Sequence, residues 1–426
     1  MCSIDEYNVL CLLINIVLWI SAFIVYSIKS GYFGVGNAIL LFYSFLSIFS
    51  FHLFYSSYSW MFNSLQLFPF IYLFIMILLA SYPILVIKER YLKKITHPSP
   101  LLFNTVCLFI IIFSFFKLPS MISSIQENML AIIIEETAGA QAYSISTGEY
   151  VSKTSSEGDL LSVLSGMCCS VSLAFLGYYI TKRKKNRIIL IGLIVSSLMQ
   201  PLYGISHGSR SSIASFVLNF IFVMLFIRGT VSKNIKLKIY KFFISVTVIL
   251  LIPFFAVTVS RRSGDIEMSA LSIERYFAEG PLRFNNYGLD AGGIRYGDNT
   301  IVIFKKLVGL DPAMYYQGRL MKYRSMKIDE SVFYTFVGDF TLDFGAFGAI
   351  ILFCFSAVVF RKFIYVKNGQ MEFWQYLLAY ILIVSCLGYY QFPFGRETGN
   401  AQLIMFLFLI ILFWCDGLIR KKSFKI

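Results

Sequence analysis

Residues 188–227 read IILIGLIVSSLMQPLYGISHGSRSSIASFVLNFIFVMLFI, with one formal charge, Arg210, in the whole stretch. The runs on either side, about 188–206 and 211–228, reach the length that a helix needs to cross a hydrocarbon core about 30 Å thick. Between them Ser206-His207-Gly208-Ser209-Arg210-Ser211-Ser212 leaves room only for a turn. Two apolar spans joined by a short polar turn form a membrane hairpin, and that reading sets the class of the chain.

The rest of the sequence agrees. Of 426 residues, 58% are hydrophobic and 14% charged, against about 25% charged in an ordinary soluble domain. The expected fold is an all-α polytopic integral membrane protein. Eleven spans are expected, at about 8–28, 34–55, 65–87, 101–118, 159–181, 188–206, 211–228, 240–259, 334–360, 373–390 and 400–419. They divide the chain into residues 1–118 (spans one to four), 119–158 (an external amphipathic segment and flexible loop), 159–259 (spans five to eight), 260–333 (a large external loop) and 334–426 (spans nine to eleven and a tail).

The net charge of +14 is explained by topology rather than by nucleic acid, because no basic domain stands apart from the spans. Lys29, Lys88–Lys94, Lys182–Arg187, Arg228–Lys241, Arg361–Lys367 and Arg420–Lys425 fall in alternate links, which the positive-inside rule makes cytoplasmic. The other face then holds the amino terminus, the links 56–64, 207–210 and 391–399, and the loop 260–333, while the carboxyl terminus is cytoplasmic. Seven of the eight cysteines lie in apolar runs and read as small core residues rather than as a disulfide framework or a metal site. Neither a metal nor an organic cofactor is expected, and no Gly-rich phosphate cradle of nucleotide enzymes occurs.

Chemistry collects on the outer face. Arginine suits a phosphate or pyrophosphate, because its planar fork donates two parallel charge-assisted hydrogen bonds at any working pH. Arg210 and Arg396 sit in short outer turns, and Arg261, Arg262, Arg283 and Arg295 lie among the arginines of the large loop. Acidic residues nearly balance that loop, so internal ion pairing competes with ligand binding for its arginines. His207 is a candidate proton acceptor at the mouth of the hairpin, whereas His52 lies inside an apolar run and His97 beside a cytoplasmic link. Asp339 and Asp343 open the ninth span four residues apart, on one helical face. Asp339 is the second candidate base; for Asp343 pairing with a loop arginine is favoured over sugar or pyrophosphate contact.

Three stretches carry a resemblance to a known family: His207-Gly208-Ser209-Arg210-Ser211-Ser212, Gly280-Pro281-Leu282-Arg283-Phe284-Asn285, and Tyr334-Thr335-Phe336 through Asp343-Phe344-Gly345. With the topology, they resemble the O-antigen polymerases of the Wzy type, oligosaccharide repeat-unit polymerases whose clan includes the O-antigen ligases. One departure is that no arginine here is followed by glycine eleven positions later, a spacing that some members carry. The resemblance implies a bacterial inner-membrane glycosyltransferase of lipopolysaccharide biosynthesis. Its substrates would be undecaprenyl-pyrophosphate-linked oligosaccharides, with the surrounding lipids and a chain-length regulator protein as further partners. A ligase that uses a lipid A-core acceptor and a transporter of lipid-linked sugars are the alternatives; nearly charge-free midspans argue against the transporter.

Overall fold

The computed structural model describes residues 4–116, 118–119, 121–123, 125–126, 160–206, 209–260, 266–314, 316–328 and 334–423. The helices are α1 (Ile4–Ser30), α2 (Val35–Phe54), α3 (Leu67–Val86), α4 (Pro100–Phe115), α5 (Leu160–Thr181), α6 (Arg187–Ser206), α7 (Arg210–Ile227) and α8 (Lys233–Ser260). They continue with α9 (Ile266–Tyr287), α10 (Val302–Leu307), α11 (Tyr316–Lys322), α12 (Thr335–Phe363), α13 (Phe373–Cys386) and α14 (Arg396–Ser423). Among the described residues nine helices are long and apolar enough to cross a membrane, and α4 and α13 are shorter apolar helices. The protein is therefore an all-α polytopic membrane protein. The helix expected over Met121–Glu136 and the tract Thr137–Asp159 lie, for all but a few residues at their start, outside the described residues.

Helix limits follow local chemistry. Asp5 and Glu6 open α1 and Lys29 closes it, each opposing the partial charge of its helix end. Pro100 stands in the first turn of α4, where its missing N–H costs nothing, and the Ser99 hydroxyl accepts from the Leu102 amide at 3.3 Å. One pairing was not legible in the sequence: Lys94–Ile95 and Gln370–Met371 form a two-residue parallel ladder, too short to show a strand period.

The chain forms two compact units that interleave along the sequence. The first comprises Met1–Arg90, Ile273–Tyr365 and Leu378–Leu403; the second comprises Tyr91–Ser272, Val366–Leu377 and Ile404–Ile426. Within the first unit charge sorts the two helix ends. At one end Glu89 accepts from the Val35 amide at 2.6 Å and Arg361 donates to the Tyr82 hydroxyl at 2.7 Å, near Lys29, Lys88 and Arg90. At the other end the link between α2 and α3 docks on α9. The Asn63 and Gln66 amides donate to the side chains of Asn286 and Asn285 at 3.0 and 2.9 Å, and Asn285 returns a bond to the Gln66 carbonyl.

In the second unit Phe103 is the hub of a ring cluster, with the centroids of Phe175, Tyr178, Tyr179, Phe373 and Phe413 at 5.6, 5.0, 6.1, 5.5 and 6.4 Å. Such a cluster fixes helix ends where lipid offers no hydrophobic drive for association. Gly177 shows how closely the helices approach: a Cβ there would stand 2.5 Å from Val223 and 2.6 Å from the Tyr376 hydroxyl.

The feature that shapes the first unit most is a break in α12. Gly345 has φ +74° and ψ 163°, a conformation open to glycine almost alone. The helix resumes beyond it at an altered direction, and the interrupted ladder finds other donors. The Leu342 carbonyl accepts from the Arg295 amide at 2.9 Å, and the Ala346 carbonyl accepts from the Tyr72 hydroxyl at 2.7 Å. Replacing Gly345 with alanine forces a side chain into this conformation and against Ile294, whose Cδ1 would lie 3.1 Å from the new Cβ. A loss of about 1–3 kcal/mol is expected, read as a lowered unfolding temperature of the detergent-purified protein.

Candidate functional site

Two groups of polar side chains stand at the α9 end of the first unit. The first is buried and centres on Arg295, in the segment after α9. Its side chain is wholly buried, with Nε 2.8 Å from Asp343 Oδ1 and a terminal nitrogen 3.6 Å from Asp339 Oδ1. The two carboxylates share a face of the first half of α12, as their four-residue spacing requires. Asp343 Oδ2 accepts from the Asn299 amide, the Thr300 amide and the Thr300 hydroxyl at 3.2, 2.7 and 2.7 Å. Asp339 Oδ1 accepts from the Asn299 side-chain amide, and Oδ2 accepts from the Phe392 backbone amide at 2.6 Å. Arg396 is near enough to act on Asp339 electrostatically, and its own amide donates to the Asn299 carbonyl at 2.6 Å.

Backbone strain gathers around this network. Tyr296, Thr335 and Arg396 hold φ of +53°, +70° and +59°; for a β-branched residue such as Thr335 this is a genuine outlier. Strain of this kind persists only where neighbouring contacts over-determine the conformation. Here the contacts are the Phe336 amide to Gly388, the Tyr334 amide to Tyr390 and the Arg396 amide to Asn299.

Asp298 fastens the same segment to α10 and α11. It pairs with Lys305 from α10 and at 2.8 Å with Lys322 from α11, and it accepts from the Ala313 amide at 3.0 Å and the Tyr323 hydroxyl at 2.8 Å. Burial alone would raise this carboxyl, but the four donors outweigh it and hold it at about 2.

The second group is more open and runs along α9. Arg275 and Arg283 flank Glu279 at four-residue intervals, each with Nε 2.8 Å from one of its oxygens. Two guanidiniums therefore share one carboxylate. The Arg275 guanidinium lies 5.2 Å from the Tyr58 ring centre and that of Arg283 lies 5.5 Å from Phe62, and an Arg283 terminal nitrogen donates to the Met61 carbonyl at 3.0 Å. Beside them His52, in the last turn of α2, meets Glu274 at 2.7 Å.

The sequence-predicted residues are distributed as follows. Arg295, Asp339 and Asp343 come together, with Arg396 beside them. Arg283 stands in the α9 group. Arg210 belongs to the second unit, where it donates to the hydroxyls of Thr258 and Ser272 at 3.4 and 3.3 Å. His207, Arg261 and Arg262 lie outside the described residues.

Asp339, a candidate base, is 1% exposed, and both its oxygens accept from protein donors. Arg295, a candidate pyrophosphate contact, has its guanidinium against the two buried carboxylates. Sequence reasoning missed Glu279, Asn299, Asp298 and the His52–Glu274 pair. The spacing of Arg275, Glu279 and Arg283 was a readable signal; nothing in the sequence joins His52 to Glu274.

Two outcomes follow from the buried group. Asp343→Asn leaves the Arg295 charge under-compensated and should cost about 3–5 kcal/mol, whereas a double replacement by apolar residues of similar volume should recover most of it; chemical unfolding in detergent measures both. The depressed Asp298 carboxyl contributes stability that is present above its unfolded value of 3.8 and lost as pH falls toward about 2. Hydrogen exchange of residues 290–326, corrected for intrinsic rate, should therefore rise across that window in the wild type and show no such step in Asp298→Asn.

Comparisons with protein-family models, with characterised proteins and with solved structures find no match for this chain.

Proposed function

We propose that the chain is a glycosyltransferase of the O-antigen polymerase type, which joins lipid-linked oligosaccharide repeat units at the outer face of the bacterial inner membrane. The observation that supports this reading best is the α9 group. Arg275 and Arg283 carry two positive charges against one on Glu279, are partly exposed, and stand beside the rings of Tyr58 and Phe62. Guanidinium forks bind pyrophosphate oxygens, and aromatic faces suit the apolar faces of sugars.

In the proposed reaction a hydroxyl of one lipid-linked unit attacks the anomeric carbon of the chain carried on a second lipid, and the second lipid pyrophosphate departs. Stabilising the charge that grows on the leaving group is electrostatic catalysis, most effective where water is partly excluded. The activated donor already carries its leaving group, so no nucleotide enters. The topology proposed with this function has eleven crossings, with α4 and α13 among them, an external amino terminus, a cytoplasmic carboxyl terminus and residues 260–333 outside. A chain-length regulator protein is the proposed partner.

The lipopolysaccharide ladder of a deletion strain tests the function. Loss of a polymerase should leave core bearing one repeat unit, and complementation should restore the ladder. Core with no repeat unit at all would point instead to ligation. Within the complemented strain, Arg283→Lys keeps the charge but loses the fork. At equal protein level it should lower polymerisation by about 10- to 100-fold, the worth of one charge-assisted bond of roughly 1.5–3 kcal/mol. A fully active lysine variant would remove Arg283 from the pyrophosphate site.

A further inference from the structure

The His52–Glu274 pair has the geometry of an oriented proton acceptor. Nδ1 of His52 lies 2.7 and 2.8 Å from the two oxygens of Glu274. In the neutral imidazole the nitrogen that faces a carboxylate carries the hydrogen, and the lone pair is then on Nε2. The histidine side chain is 69% exposed while that of Glu274 is 16% exposed, so the carboxylate is held in place and the far side of the ring is open.

The two helices that carry the pair are locked together. Ser50, two residues before His52, donates from its hydroxyl to the Ala278 carbonyl at 2.9 Å, and Ala278 lies one turn beyond Glu274 on the same face of α9. The residue after Glu274 is Arg275, first of the arginine pair that shares Glu279. The carboxylate that orients the imidazole and the cationic anchor thus occupy neighbouring stripes of one helix, with the rings of Tyr58 and Phe62 beside the guanidiniums. A nucleophile, its base and a group that orients the base form a recurrent arrangement in transfer chemistry.

We propose that His52 is the proton acceptor of the transfer reaction, with Glu274 as its positioning residue; this rests on the polymerase reading above. As the acceptor hydroxyl attacks, its proton passes to His52 Nε2 and its oxygen forms the new glycosidic bond to the anomeric carbon. The bond from that carbon to the pyrophosphate oxygen breaks, and its electron pair leaves with the lipid pyrophosphate held at Arg275 and Arg283. The proton on the imidazolium then returns to solvent through the open side of the ring.

The test uses the full-length protein in lipid nanodiscs with a lipid-linked repeat unit, read as polymer formed per minute. His52→Ala should lower the rate by about 100- to 10,000-fold, the usual worth of a general base, and added imidazole should restore it in proportion to its concentration. His52→Gln separates catalysis from structure. Its side-chain amide can still donate to Glu274 but cannot accept the hydroxyl proton, so it should be as slow as the alanine variant. Glu274→Gln should lower kcat with KM little changed. Wild-type rates in His52→Gln, or no response of His52→Ala to imidazole, would overturn the assignment while leaving the polymerase reading intact. A wild-type protein that makes no polymer would sink the reading and the proton acceptor together.

Discussion

The first unit depends on one buried charge, Arg295, held between Asp343 and Asp339. A guanidinium taken out of water must be paired and hydrogen-bonded or it costs several kcal/mol. The protein meets that demand by folding a loop onto the broken helix α12. The break at Gly345 is part of the same solution, since the Arg295 amide caps the carbonyl of Leu342 just before it. Helix, loop and the turn that carries Phe392 therefore form one polar knot at a membrane-helix end, where open backbone groups would otherwise be costly.

That knot constrains what the charged residues can do chemically. The two carboxylates already accept from Asn299, Thr300 and Phe392, and the strained backbone at Thr335 and Arg396 is held beside them by backbone bonds to Gly388, Tyr390 and Asn299. Reactivity belongs where charge is imperfectly balanced and side chains are reachable. On α9 two arginines share one carboxylate, and an exposed histidine leans on a half-sheltered glutamate. Rigid burial on one side and open, oriented groups on the other is the division of labour that the proposed transfer function would require.

The placement of His52 shows why linear distance misleads in a polytopic chain. By sequence it sits in an apolar run, 222 residues from Glu274. In the fold α2 ends just after it, and the docking of the α2–α3 link on α9 brings the pair together. The link 56–64 carries no charge; its backbone and the rings of Tyr58 and Phe62 support the arginine pair.

The sequence by itself determined the class of the protein, because it follows from a quantity that adds along the chain, the length of each apolar run. It also marked Asp339 and Asp343, since helical spacing places such residues on a shared face without any tertiary knowledge; the same spacing in Arg275, Glu279 and Arg283 was readable but was missed. The partners were decided only by tertiary structure. That Arg295 pairs with Asp343, that Gly345 breaks α12 instead of continuing it, and that Glu274 meets His52 depend on how separate helices dock. Docking is set by the packing and polar satisfaction of whole surfaces, which no local pattern encodes.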